Sequence, residues 1–113
     1  MRNPVSIALL LLAVSLAPAA QACEYPPDLK LPDGKSATQE EMSAGVTAMK
    51  KYQADMEAYR ACLDAEFAAL PVEAQTPEAK ALHVKRYNAA VDAETAEATA
   101  FNDQVRAFKA AKK

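Results

Sequence analysis

Few residues in this chain are of types that carry chemistry: two cysteines, Cys23 and Cys62, one histidine, His83, and a methionine series, Met42, Met49 and Met56. Cysteines can pair, bind metal or act as nucleophiles, and compartment and neighbours decide which. A zinc site takes about four ligands, and with a single histidine it would have to draw on both cysteines or on carboxylates. The methionines recur every seven residues, the spacing of side chains that fill a helix face rather than of a soft-metal or oxidant-sensing box. Ser36 and Ser43 lack triad partners, and Ser36 belongs to helix-start chemistry. Gly34 and Gly45 are the only glycines, so no phosphate-cradling loop is available. Glu94 and Glu97 have the spacing of solvated charges on an alanine-rich helix, and no base or nucleophile joins Glu94 at helical spacing. No catalytic, cofactor-binding or metal-ligating residue is expected, and no cofactor.

The first element that decides what the cysteines do is the N-terminal segment. Arg2 opens a short positive region, Val5 to Leu16 form an apolar run, and the small residues up to Ala22 are broken by Pro18. That is the pattern of a secretory signal peptide over residues 1–22. The run is shorter than the roughly 20 apolar residues a bilayer span needs. Ala20 and Ala22 stand at the −3 and −1 positions of a signal peptidase site, so cleavage is expected between Ala22 and Cys23. A cysteine at the new terminus also fits a lipoprotein, but Ala20 and Gln21 stand where such signals place a branched aliphatic and a small residue. A soluble periplasmic or secreted protein is the preferred reading.

The chain of 113 residues is 51% hydrophobic, and that figure overstates its core. The first 22 residues hold 15 of the hydrophobic residues, and 21 of the other 43 are alanine. Leu, Ile, Val and Phe number 13 among the last 91 residues, enough for one small core at most. After cleavage, 12 basic residues face 15 acidic ones. A net charge of that sign gives no surface for tracking phosphates, so nucleic acid is excluded as a partner. The mature chain has no second apolar run that could span a membrane. A protein partner or a second copy of the chain remains.

The mature chain divides into an arm, residues 23–37, and a helical hairpin, residues 38–111. The arm carries Pro26, Pro27 and Pro32 and ends in Asp33-Gly34, which predicts extended backbone followed by a turn. Thr38 and Glu41 have capping-box spacing and open a helix over about 39–70. Thr76-Pro77-Glu78 opens another over about 77–111, with threonine as cap and proline at the first helical position. The fold class is all-α, an antiparallel coiled-coil-like two-helix hairpin with the arm packed along the first helix.

Heptad spacing specifies the packing. In the first helix Met42, Met49, Met56, Leu63 and Leu70 recur every seven residues, with Val46 and Phe67 between them. In the second, Val84, Tyr87, Val91, Glu94, Ala98, Phe101, Val105 and Phe108 alternate in steps of three and four. In an antiparallel hairpin, facing residues have numbers that add to a constant. A value of 147 pairs Met42 with Val105, Met49 with Ala98, Met56 with Val91, Leu63 with Val84 and Val46 with Phe101. It also sets Gln53 opposite Glu94 and Arg60 opposite Tyr87.

Two cysteines in an exported chain suggest a disulfide. Cys62 lies about 36 Å along the first helix at 1.5 Å per residue, and the extended arm reaches roughly 43 Å. A bridge therefore requires the arm to run back along the helix nearly at full stretch. Cys62, Tyr52 and Tyr59 share a flank of that helix, and this flank is the expected docking surface for Tyr25, Pro26, Pro27, Leu29 and Leu31. An intermolecular bridge, or acylation of Cys23 with Cys62 free, are the alternatives.

The mature chain resembles a family of small exported proteobacterial helical proteins. The residues that carry the resemblance are Cys23, Pro26-Pro27, Pro32-Asp33-Gly34, Glu41-Met42, Lys50-Lys51-Tyr52, Tyr59-Arg60-Ala61-Cys62-Leu63, Phe101-Asn102 and Val105-Arg106. They are spread over nearly all of the mature chain. The resemblance implies an exported helical protein and assigns no activity. Thr38-Gln39-Glu40 is faintly similar to the Leu-Thr-x-x-Gln signature of helical periplasmic stress chaperones, with Ala37 in the leucine position. This leads to two functional expectations: a non-enzymatic partner-binding or structural module, and alternatively a holdase that captures clients on its Tyr and Met surface.

Overall fold

The computed structural model describes residues 22–112, so the expected signal peptide lies outside the described residues up to residue 21. The chain forms two long helices, α1 (Gln39–Ala68) and α2 (Pro77–Ala111), joined through a 3₁₀ turn at Val72–Ala74. They pack against each other as a hairpin, and no strand occurs among the described residues. The extended arm precedes α1.

Both helix starts follow from their caps. The Thr38 hydroxyl accepts from the Glu41 backbone N–H at 3.1 Å, and the Glu41 carboxylate accepts from the Thr38 N–H at 2.7 Å. Thr76 accepts from the Ala79 N–H at 3.1 Å, with Pro77 in the first turn. Each cap satisfies N–H groups that the helix leaves without a partner. α1 ends at Ala68 rather than Leu70. Pro71 disfavours helical backbone at the residue before it. The Leu70 N–H turns to the Phe67 carbonyl, and the Gln75 side-chain amide donates to the Leu70 carbonyl at 2.9 Å.

The core is built on the methionine series. Met42, Met49, Met56 and Leu63 are buried, with Met56 and Leu63 at 0% and 1% exposure. The second buried row of α1 is Gly45, Tyr52 and Tyr59, not the row through Val46, which is 41% exposed. α2 is displaced in the same sense. Ala90 is fully buried, whereas Val91 and Val84 are 38% and 46% exposed. The expected layers of Met56 with Val91 and Leu63 with Val84 therefore do not form. His83 and Ala90, one residue earlier, face inward instead. Alanine lets two helix backbones approach closely, so Ala90 can sit where a valine would hold them apart.

The longitudinal register is retained. Arg60 lies over the Tyr87 ring at 5.9 Å, and the His83 Nε2 is 3.0 Å from the Asp64 carboxylate. Both pairs obey the expected sum. Phe101 lies against Gly45 instead of Val46, since a β-carbon added to Gly45 would stand 3.0 Å from the Phe101 ring. The helices are thus level as expected but turned about their axes by roughly one position.

Candidate binding surface: two grooves of the hairpin

Two antiparallel helices packed side by side leave a groove on each side of their contact line. The arm lies along one of them, which explains the turn of the helices. Cys23 and Cys62 form a disulfide, with Cα atoms 5.6 Å apart. Tyr25 meets Tyr59 edge to face at 5.1 Å. Pro26 is buried, and Leu29 and Leu31 pack half-buried against the core. Pro32 reaches Gly45. The arm therefore runs back along α1 in reverse order, over the flank that holds Tyr52 and Tyr59. These tyrosines are 7% and 9% exposed: they are the docking surface for the arm and, at the same time, a row of the core.

At its turn the arm also touches α2, a contact that motif and spacing do not announce. The Gly34 N–H donates to the Gln104 side chain at 2.8 Å. A β-carbon on Gly34 would fall 1.9 Å from the Gln104 backbone oxygen. Glycine is needed here for close approach, since no side chain fits between the turn and the helix backbone. The Asp33 carbonyl receives the N–H groups of Ser36 and Ala37, which closes the turn.

The polar groups on this side are structural. The Tyr52 hydroxyl is held above its ordinary pKa of 10.0, first by burial and then by the neighbouring Tyr25, Glu97, Glu94 and Asp28. The Arg86 guanidinium is also raised, chiefly by its hydrogen bond to Glu66 at 3.0 Å. His83 stacks on Phe67 with ring centres 5.1 Å apart, so the lone histidine is half-buried packing between the helices rather than a free ligand. Among the described residues no three His, Cys, Asp or Glu side chains cluster as a metal site. No described helix is long and apolar enough to cross a membrane.

The opposite groove has no arm. Gln53 and Arg60 of α1 line it with Val91, Thr95 and Ala98 of α2. Arg60 and Glu94 form an ion pair across its floor, each about one-fifth exposed. The hydrogen bond to Glu94 is the main cause of the raised Arg60 pKa. Burial opposes it, and a paired charge tolerates burial far better than a single one. Along the α2 wall, Val84, Val91, Ala98 and Val105 repeat every seven residues. The row that heptad spacing marks as core on α2 thus borders an uncovered groove: Val84 and Val91 are open to solvent, while Ala98 and Val105 pack partly buried against the core.

No family model, no curated protein and no solved structure matches this chain.

Proposed function

We propose that this chain is a non-enzymatic exported module that binds a protein partner through the groove left open opposite its arm. The observation that carries this reading is the α2 wall: a heptad row of apolar and small residues spanning three helical repeats, in which Val84 and Val91 are exposed and Ala98 and Val105 only partly buried. Heptad rows form where another helix packs. The signal-like N-terminal segment supports export, and the disulfide fits an oxidising compartment. A Cys23 sulfur engaged with Cys62 has no thiol to acylate, which favours a soluble product over a lipoprotein.

The holdase alternative draws no comparable support. Of its Tyr and Met surface, Met42, Met49, Met56, Tyr52 and Tyr59 are core residues and Tyr87 is half-buried, which leaves Tyr25 exposed.

The test is photocrosslinking in the producing cell from residue 95, inside the groove, and from Ala96, which lies about 100° round the helix. The expected result is an adduct from position 95 that position 96 does not give. Equal labelling from both, or none from position 95, would overturn the proposal.

A further inference from the structure

We propose that the occupant of the open groove is a second copy of this chain, docked about a two-fold axis that crosses the hairpin at the level of Thr95 and Gln53. This deepens the partner-binding reading and rests on it.

The strip of α2 that borders the groove carries no charge from Val84 to Val105 along its heptad positions. It also reads almost the same in both directions. Val84 balances Val105 and Val91 balances Ala98 about the point midway between Glu94 and Thr95, and Asn88 balances Asn102 about Thr95 itself, half a residue away. Asn88, Thr95 and Asn102 are exposed. An antiparallel second α2 would therefore place valine on valine at the ends and asparagine on asparagine inside them. Asparagine amides both donate and accept, so they can pair with themselves. Self-complementarity of this kind is what an isologous interface requires.

α1 supplies an independent observation. In a face-to-face pair of hairpins related by such an axis, α1 must also lie antiparallel to its copy. The hairpin register fixes where the axis meets it: the sum of 147 sets Gln53 opposite Glu94, one residue from Thr95, and all three line the same groove. With the axis midway between Gln53 and Ala54, Lys50 falls opposite Glu57 of the other copy, and Glu57 opposite Lys50. The axis chosen by the α2 strip meets α1 within one residue of that point, close enough for these long side chains to form two pairs of opposite charge. The Arg60–Glu94 pair is already matched within each chain, so covering the groove strands no charge.

The area is modest but adequate. The strip from Val84 to Val105, 21 steps of helix, is about 31 Å long. Two helices side by side present roughly 20 Å of width, which gives on the order of 600 Å² per copy and about 1,200 Å² in total, the lower end for specific interfaces.

The experiment is sedimentation of the purified, oxidised protein over a concentration series, with residue 95 used as a charge switch. Thr95 is exposed, so Thr95→Lys and Thr95→Glu should each melt like the parent. The parent should dimerise, reversibly, by about 100 μM. Each single variant should stay monomeric there, because the axis brings two like charges together. An equimolar mixture of the two should recover the dimer mass. A parent that is monomeric throughout overturns the proposal, as does a dimer indifferent to charge at residue 95. If the parent is monomeric and position 95 still crosslinks in cells to a different protein, the second copy is refuted and the partner-binding reading stands. If it is monomeric and position 95 gives no adduct, both fail.

Discussion

Removing the disulfide should cost this protein an unusually large share of its stability. The Cys23–Cys62 bridge spans a sequence separation of 39, and the loop-closure relation for a ring of that size gives roughly 4 kcal/mol. The buried core has few large side chains, with Met56 and Leu63 the largest that are fully enclosed. A small domain holds about 5–15 kcal/mol in all. For a chain of 60–100 residues each 1 kcal/mol moves the midpoint by about 4–8 °C, so the bridge should account for roughly 16–32 °C. The variant to use is Cys23→Ser with Cys62→Ser, since either single change leaves a free thiol that can link two chains. Thermal unfolding followed by far-ultraviolet circular dichroism gives the midpoint, and hydrogen exchange of the arm amides shows whether the arm still lies on Tyr52 and Tyr59. The expected result is the full fall in midpoint with loss of arm protection, while the hairpin stays helical in the cold. A fall of under about 5 °C with the arm still protected would refute the reasoning, because packing alone would then hold the arm.

Gly34→Ala should destabilise by about 1–3 kcal/mol, the usual range for overpacking, because the new methyl would meet the Gln104 carbonyl at 1.9 Å. Lys35→Ala, in the same turn but exposed, is the control, and equal urea midpoints for the two variants would sink the close-approach account. Tyr52 predicts an alkaline limb to stability. Its folded pKa lies above 10.0, so its contribution is complete below pH 10 and is lost as pH rises through the folded value. Urea midpoints between pH 9 and pH 12 should therefore fall less steeply for Tyr52→Phe than for the parent, and identical slopes would contradict the burial argument.

Local chemistry was fully legible in the sequence: both threonine caps, the proline stop and the Asp33-Gly34 turn depend on residues close in the chain. The register was legible too, because it needs only the positions of apolar residues along each helix. The rotation of each helix was not. On α1 the choice lay between Val46, Gln53 and Arg60 and the neighbouring row of Gly45, Tyr52 and Tyr59. The two tyrosines had already been placed beside the arm, and that placement could have signalled which row was buried. On α2 the signal pointed the other way, because three valines outrank His83, Ala90 and Glu97 on any hydrophobicity scale. Hydrophobicity counts what a side chain gains on burial. It does not count how near two backbones may come, and Ala90 gains its place that way. The Gly34 contact with Gln104 had no signal at all, since nothing local to residue 34 reports a helix backbone 70 residues away.

The disulfide and the misplaced valines are linked by the same geometry. A hairpin with two competing rows on each helix can turn toward either groove, because the better row on α1 and the better row on α2 do not favour the same turn. The arm decides, because a tether at Cys62 holds a strip of proline and leucine over one side and draws Tyr52, Tyr59 and Ala90 beneath it. Val84 and Val91 are then left facing out, in a heptad pattern with no helix to receive them. Detaching the arm uncovers the tyrosine row while the valine row stays open, so the reduced chain should present two sticky faces instead of one. Self-association that is a defined, reversible dimer when oxidised should therefore become open-ended when reduced. That contrast separates a groove built for one occupant from general stickiness, which would not depend on the bridge.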